Sequence, residues 1–235
     1  MTSRIPDESD RVDLSQYASV DEALSAAAEI AEHFRHLSVR AVTEDNPGKL
    51  VGKGHIFLTS ALARAKGLHD GIVREIRADD THTTFPLLRT YVELGGLLAY
   101  VTEKPAYLDR LMANPRDSPV GRRRVSFEAV WSVARRRYPG IKMAYTELSE
   151  FGHFGSFGVW ASWSFDDSDP EPGTLGLLSH KFGPGWRDED RDPKLAAAWL
   201  VEADQMAFRE ATRFLEAHIL PLNREWMGNG QPERS

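Results

Sequence analysis

Arg89 and Glu93 stand one helical turn apart in Phe85-Pro-Leu-Leu-Arg-Thr-Tyr-Val-Glu-Leu-Gly-Gly-Leu-Leu-Ala-Tyr-Val101, a stretch that is otherwise almost wholly apolar. A guanidinium and a carboxylate four residues apart share a helix face and can pair. Charged groups kept near a core are costly unless partnered. The chemistry on offer is acid–base work or ligand binding by Glu93, with Arg89 positioning it or neutralising a phosphate or carboxylate. Tyr145, Ser149 and His153 form a second set, spaced four apart. At ~100° per residue they fall within about 80° of one helix face. His153 closes that helix, where the negative end of the dipole favours imidazolium, and Gly152 and Gly155 leave its ring accessible. Glu93, His153 and Tyr145 are therefore the candidate catalytic residues. Arg89, Ser149 and His69 are the candidate ligand-binding ones. Each has a competing structural account: an ion pair that fixes helix packing for Arg89 and Glu93, a helix cap for His153, and a satisfied core histidine for His69, which interrupts the apolar stripe between Leu62 and Ile76.

Composition narrows the chemistry further. The 235 residues contain no cysteine, which removes disulfides, thiolate nucleophiles, zinc fingers and iron–sulfur clusters. A ferritin-like di-metal centre needs Glu-x-x-His on two helices. Glu150-Phe-Gly-His153 has that spacing, and Glu29 with His33 only comes near it. The second pair a di-metal centre needs is absent; Glu93 and His153 would do acid–base work or hold a metal, and the cofactor is left open. Nucleophile elbows, phosphate-binding loops and dinucleotide fingerprints are missing. Asp204 and His218 lie inside the last helix's stripe, but ~21 Å apart along its axis, too far to share a site.

The net charge of −6 conceals an asymmetry. Nine basic residues face two acidic ones between Arg110 and Lys142, a local excess of +7 that leaves −13 elsewhere. Two arginine triplets, Arg122 to Arg124 and Arg135 to Arg137, carry it. Such a patch can attract RNA or another anionic partner, or can be a helix face paired with acidic neighbours. A protein built to hold a long duplex is usually basic overall. No apolar run reaches the ~20 residues that span a bilayer, and the first residues lack a signal-peptide core. The expectation is a cytoplasmic protein with no membrane partner. A small anionic ligand, RNA at the arginine triplets and a second copy of the chain are the partners considered.

The elements that must position these side chains are helical. Residues 1–18 read as a polar tail. Ser19-Val-Asp-Glu22 is a capping box, followed by the stripe Ala23, Ala27, Ile30, Ala31, Phe34, Leu37 and Ala41 to about Val42. A second helix over about 52–78 buries Leu58, Leu62, Ala65, Leu68, Ile72, Val73 and Ile76. The third, about 85–103, is apolar over more than half its circumference and should be central, with Gly95 and Gly96 allowing close approach. Shorter helices are expected over about 127–138 and 141–152. Alternation from Phe157 to Phe165, an acidic turn and an extended run to Phe182 suggest a β-hairpin over about 157–182. The last helix should run from about Pro193 to Ile219, stopped by Pro221, with a flexible tail over 226–235. The fold class is therefore mainly α: one domain over 19–225, a bundle of five to seven helices with a hairpin inserted before the long last one.

Residues 55–155 resemble a widespread family of bacterial helical domains with Leu-x-Arg-x-x-x-Glu on a central helix and Tyr-x-x-Leu-Ser-x-x-x-His on a later one. Here these are Leu87-Leu-Arg89-Thr-Tyr-Val-Glu93 and Tyr145-Thr-Glu-Leu-Ser149-Glu-Phe-Gly-His153. The resemblance implies that Arg89, Glu93, Tyr145, Ser149 and His153 converge; it implies no activity. Arg77-Ala-Asp-Asp-Thr-His82 is similar in spacing to the active-site motif of the HEPN ribonucleases of toxin and phage-defence systems, with Ala78 where that family has a polar residue. The leading expectation is a polar pocket that binds, and could process as a hydrolase, a small anionic or phosphate-bearing ligand. The alternatives are a HEPN-like ribonuclease and a non-catalytic interaction module.

Overall fold

A computed structural model describes residues 13–112, 127–152, 163–165, 178–180, 185–186 and 189–228. A short 3-10 turn, Leu14–Gln16, precedes α1 (Val20–Thr43), α2 (Lys53–Arg77), α3 (Thr81–Glu103) and the short α4 (Tyr107–Leu111). After these come α5 (Phe127–Arg137), α6 (Ile141–Gly152) and α7 (Asp192–Phe214). One π-helical turn, Leu215–Ile219, leads directly into α8 (Leu220–Gly228). The architecture is a mainly helical bundle. Two three-residue strands, Trp163–Phe165 and Leu178–His180, pair antiparallel with Trp163 opposite His180. The remaining positions of the hairpin expected over 157–182 lie outside the described residues.

The chain's polar punctuation explains where helices begin. Ser19 Oγ accepts the Glu22 N–H at 3.2 Å, while the Glu22 carboxylate reaches back to the N–H of Ala18. The capping box thus closes one residue earlier than its usual form. Asp79, at φ 56, turns the chain between α2 and α3, and Asp80 caps α3 by accepting the Thr83 N–H at 3.1 Å. That cap starts α3 four residues before the expected 85. Trp186 returns to this corner, donating its indole N–H to Asp79 at 2.8 Å.

The core forms where α1, α2 and α3 surround α7. Ala23, Ala27 and Ala31 of α1 and Ala196, Ala203, Ala207 and Ala211 of α7 are all buried, so small side chains let these helices close together. Phe34, Leu58, Leu62, Ile72, Leu88, Leu98 and Phe214 fill the spaces between them. Burying each such side chain contributes ~1.5–3 kcal/mol. Of the expected stripes on α1 and α2, only Ile30 and Val73 are partly exposed. The centre of the bundle is shared by α3 and α7. A Cβ added at Gly95 would lie 2.9 Å from Met206 Cε, so the glycine expected to permit close approach does so against α7. The outer face of α3 is covered by α5 and α6.

Pro221 does not end the last helix, and Met227 of the expected tail is still helical. Proline lacks an N–H and its ring clashes with the carbonyl four residues back. The π turn just upstream, in which the Leu220 N–H bonds to the Leu215 carbonyl, widens the helix and relieves that clash.

Candidate functional site

Three clusters of polar side chains and one cavity are candidates. The first is the set read from the sequence. Tyr145, on α6, faces α3 and bridges both charged residues there. Arg89 donates from Nη2 to the Tyr145 hydroxyl at 2.6 Å and from Nε at 3.1 Å, and the hydroxyl donates to Glu93 Oε1 at 3.1 Å. Arg89 Nε lies 3.3 Å from the same carboxylate oxygen, and the guanidinium carbon is 4.9 Å from the Tyr145 ring centre. Burial, partly countered by Arg89, raises the Tyr145 phenol above its ordinary value and keeps its proton on. The expected convergence of Arg89, Glu93 and Tyr145 is present. Their expected burial is not: the side chains of Arg89 and Glu93 remain 24% and 40% exposed, because α5 and α6 are short and cover the outer face of α3 incompletely. The local chemistry is a charge-compensated tether between α3 and α6. Ser149 turns its hydroxyl back to the Tyr145 carbonyl at 2.7 Å, a local bond that occupies its donor. His153 lies outside the described residues, as do Arg122, Arg123 and Arg124.

His69 belongs to a second cluster, behind α3. Its Nδ1 is 2.9 Å from Asp204 Oδ2, and the Tyr91 hydroxyl donates to Asp204 Oδ1 at 2.5 Å. Tyr91 and Arg89 are two residues apart, so they point to opposite sides of α3, and His69 does not join the first cluster. All three side chains are buried. Removal from water pushes the Asp204 carboxyl above its usual range, against the pull of His69 and Tyr91. Burial likewise raises Tyr91 far above a free phenol. His218 is separate, bonding the Thr102 carbonyl at 2.8 Å. His55 is separate too: its Nδ1 accepts the Gly52 N–H at 3.1 Å, and the proton on Nε2 reaches Asn223 Oδ1 at 2.9 Å.

The third cluster centres on Glu210, which is wholly buried on α7. Its carboxylate accepts from Arg137, from Arg213 at 2.5 Å and from the Tyr138 hydroxyl at 2.8 Å. Burial, then the bond to Glu210, pushes Tyr138 up to about 12. The rest of the second arginine triplet is also paired, Arg136 with Glu103 at 2.7 Å and Arg135 with Glu128 at 3.1 Å. These three cations meet carboxylates of their own chain before any phosphate. At the α2–α3 corner, Arg77 ends one helix and His82 begins the next, both exposed.

Beside Glu210 opens a cavity of about 550 Å³. Trp199, Ala203, Met206, Val92 and Ile141 form an apolar floor, and Arg137, Tyr138, Gln205, Arg209, Glu202, Gln16 and Asp13 supply its polar groups. Val92 and Ala144 line it while their chain neighbours Glu93 and Tyr145 form the tether, so the tether braces one wall. The Trp199 indole N–H is buried with no partner among the described residues. None of the five described candidates named from the sequence, Arg89, Glu93, Tyr145, Ser149 and His69, is a lining residue. Glu210 was nonetheless legible, since Ala203, Ala207, Glu210 and Phe214 repeat at helical spacing and place a carboxylate inside an apolar stripe. The cavity residues carry no comparable signal, because they come from the turn before α1, from α3, from the junction of α5 and α6 and from α7.

No family model, no curated protein and no solved structure matches this chain. Among the described residues, no group of three or more His, Asp and Glu side chains could hold a metal ion. No helix there is long and apolar enough to cross a membrane.

Proposed function

We propose that this protein binds a small organic anion in the cavity between α7 and the α5–α6 turn. The carrying observation is the cavity itself, about 550 Å³ with an apolar floor and two guanidinium groups at its margin. Ligand sites of ~300–1,000 Å³ typically combine such a floor with a few convergent polar groups. Glu210 supports the reading by holding Arg137 and the Tyr138 hydroxyl in fixed positions before a ligand arrives, which lowers the ordering cost of binding. Arg209 reaches Gln205 at 3.1 Å and has no carboxylate partner among the described residues, so its charge is available to a carboxylate or phosphate. This is a binding site first; no group here is placed as a nucleophile or base.

The test is NMR titration with straight-chain and aromatic carboxylates, each beside the alcohol of the same shape. Carboxylates should move the Trp199 indole and Met206 methyl signals saturably, and alcohols should bind more weakly. Losing one charge-assisted contact is worth about 1.5–3 kcal/mol, so Arg209→Gln should weaken carboxylate binding by about tenfold or more. Ala144→Trp, which fills a partly exposed wall position, should abolish it. Equal binding of acids and alcohols, or no shift with any compound, overturns the proposal.

A further inference from the structure

We propose that the cavity's ligand is a zwitterion, carrying an ammonium group at one end and a carboxylate or phosphate at the other, joined by an apolar body. The inference rests on the cavity being the binding site and deepens it by naming the ligand class. The lining charges are sorted by sign along α7. Glu202 and Arg209, seven residues apart, lie on one helix face, separated by two turns or ~10 Å of axis. Asp13 lines the same cavity, and the turn that follows it packs on α7; Tyr17, just beyond that turn, has its phenol raised by burial and then by the negative charge of Glu202 and Glu22. Neither Asp13 nor Glu202 pairs with a cation among the described residues; the Asp13 carboxylate accepts from the Ser15 N–H and hydroxyl. At the other end stand Arg209 and the Glu210-anchored Arg137, with Arg213 on the same buried carboxylate.

Between the poles the floor is hydrocarbon: Ala203, Met206, Val92 and Ile141. A simple anion would satisfy one end and leave two carboxylates facing its apolar tail. An ammonium there is attracted by both acids, and Trp199, one turn before Glu202 on α7, adds an aromatic ring of the type that attracts cations. The charge separation suits a hydrocarbon spacer of roughly 10 Å, the same two turns of helix. It does not suit an α-amino acid, whose charges are adjacent.

The test compares three probes of one length, ω-amino-octanoate, octanoate and octylamine, by calorimetry on the full chain. An exposed ion pair is worth up to ~1 kcal/mol and a cation–π contact ~0.5–1 kcal/mol. The amino acid should therefore bind about tenfold more tightly than octanoate. That ratio should fall to roughly twofold in Glu202→Gln, an exposed position whose change leaves the core intact, because the ion pair is lost and the cation–π contact stays. Octanoate that binds through Arg209 as well as the amino acid does would overturn the zwitterion and leave the anion site standing. Failure of all three probes would overturn both. Octylamine binding as tightly as the amino acid would also overturn it, since the carboxylate end would then contribute nothing.

Discussion

Replacing Asp204 by alanine and by asparagine separates two accounts of the buried cluster on α7. Asp204 is fully buried and holds two groups, the Tyr91 hydroxyl at 2.5 Å and His69 Nδ1 at 2.9 Å. Asp204→Ala strands both, and each buried polar group left without a partner costs about 1–3 kcal/mol. A total of about 4 kcal/mol corresponds to a fall in Tm of roughly 8–16 °C for a chain of this length. Asp204→Asn behaves differently. Its amide oxygen can accept from Tyr91, and its amide N–H can donate to His69 Nδ1 once the imidazole proton sits on Nε2. Every partner is kept and a charge that burial disfavours is gone, so the cost should stay within about 1 kcal/mol. The two variants also differ in pH dependence. Burial raises the folded-state Asp204 carboxyl above 3.8, so the folded protein holds that proton more tightly than the unfolded chain. The contribution to stability is complete below 3.8 and is lost as pH rises through the raised value. The asparagine variant has no such loss, so its stability relative to wild type should increase with pH across that window. Urea unfolding midpoints at a series of pH values measure all of this. If asparagine costs as much as alanine, the negative charge itself is what His69 requires, and the reasoning is refuted.

Glu210→Gln places an amide N–H against cationic donors and should cost about 3 kcal/mol, the low end for a broken buried pair, because the Arg213 side chain is half exposed. A thermal scan should show a fall of roughly 6–12 °C; no fall would mean the network is not structural. Gly67→Ala, in mid-helix on α2 with nothing within 4 Å of the new Cβ, should gain about 0.5–1 kcal/mol, raising Tm by roughly 1–4 °C. Gly95→Ala should lose more to the clash with Met206 than it gains in propensity, because overpacking costs about 1–3 kcal/mol, and its Tm should drop. Tyr138 keeps its proton longer in the folded state, so wild type should lose stability relative to Tyr138→Phe as pH rises from 10.0 to about 12. Alkaline unfolding curves of the two proteins would show it.

The bundle was legible because its signal is local. Ala23 to Ala41 and Leu58 to Ile76 repeat at helical spacing, and a stripe of that kind has few ways to be buried. The pairing of Arg89 with Glu93 was legible for the same reason, the two being a turn apart, whereas their meeting with Tyr145 on another helix was expected only from the resemblance. Their exposure was not, because it depends on how far α5 and α6 reach across α3, a tertiary matter that α3's own pattern does not contain. Asp204 could be seen as a polar residue in an apolar stripe, but its partners Tyr91 and His69 come from two other helices. The cavity is the least local feature: Asp13, Tyr138 and Arg209 are joined only by the packing. Pro221 misled for a different reason. It is a strong local stop whose effect was cancelled by a change of helix type just before it.

That change of helix type also sets the phase of the chain's last turns. Ala211, Leu215, Ile219 and Asn223 are all fully buried, a run of four-residue steps. In a regular α-helix such a run drifts ~40° around the axis at each step, which would carry Asn223 well off the line of Ala211. The wide turn absorbs the drift and keeps the four side chains on one seam. Asn223 thereby reaches His55, along with the carbonyls of Glu44 and Ala41, and Trp226 lies flat on the His55 ring at 5.6 Å. Removing a single residue from 215–219 would restore a regular helix in which about 11 steps of ~100° leave Asn223 only ~20° off the line of Ala211, so the latch onto the α1–α2 corner should survive that deletion.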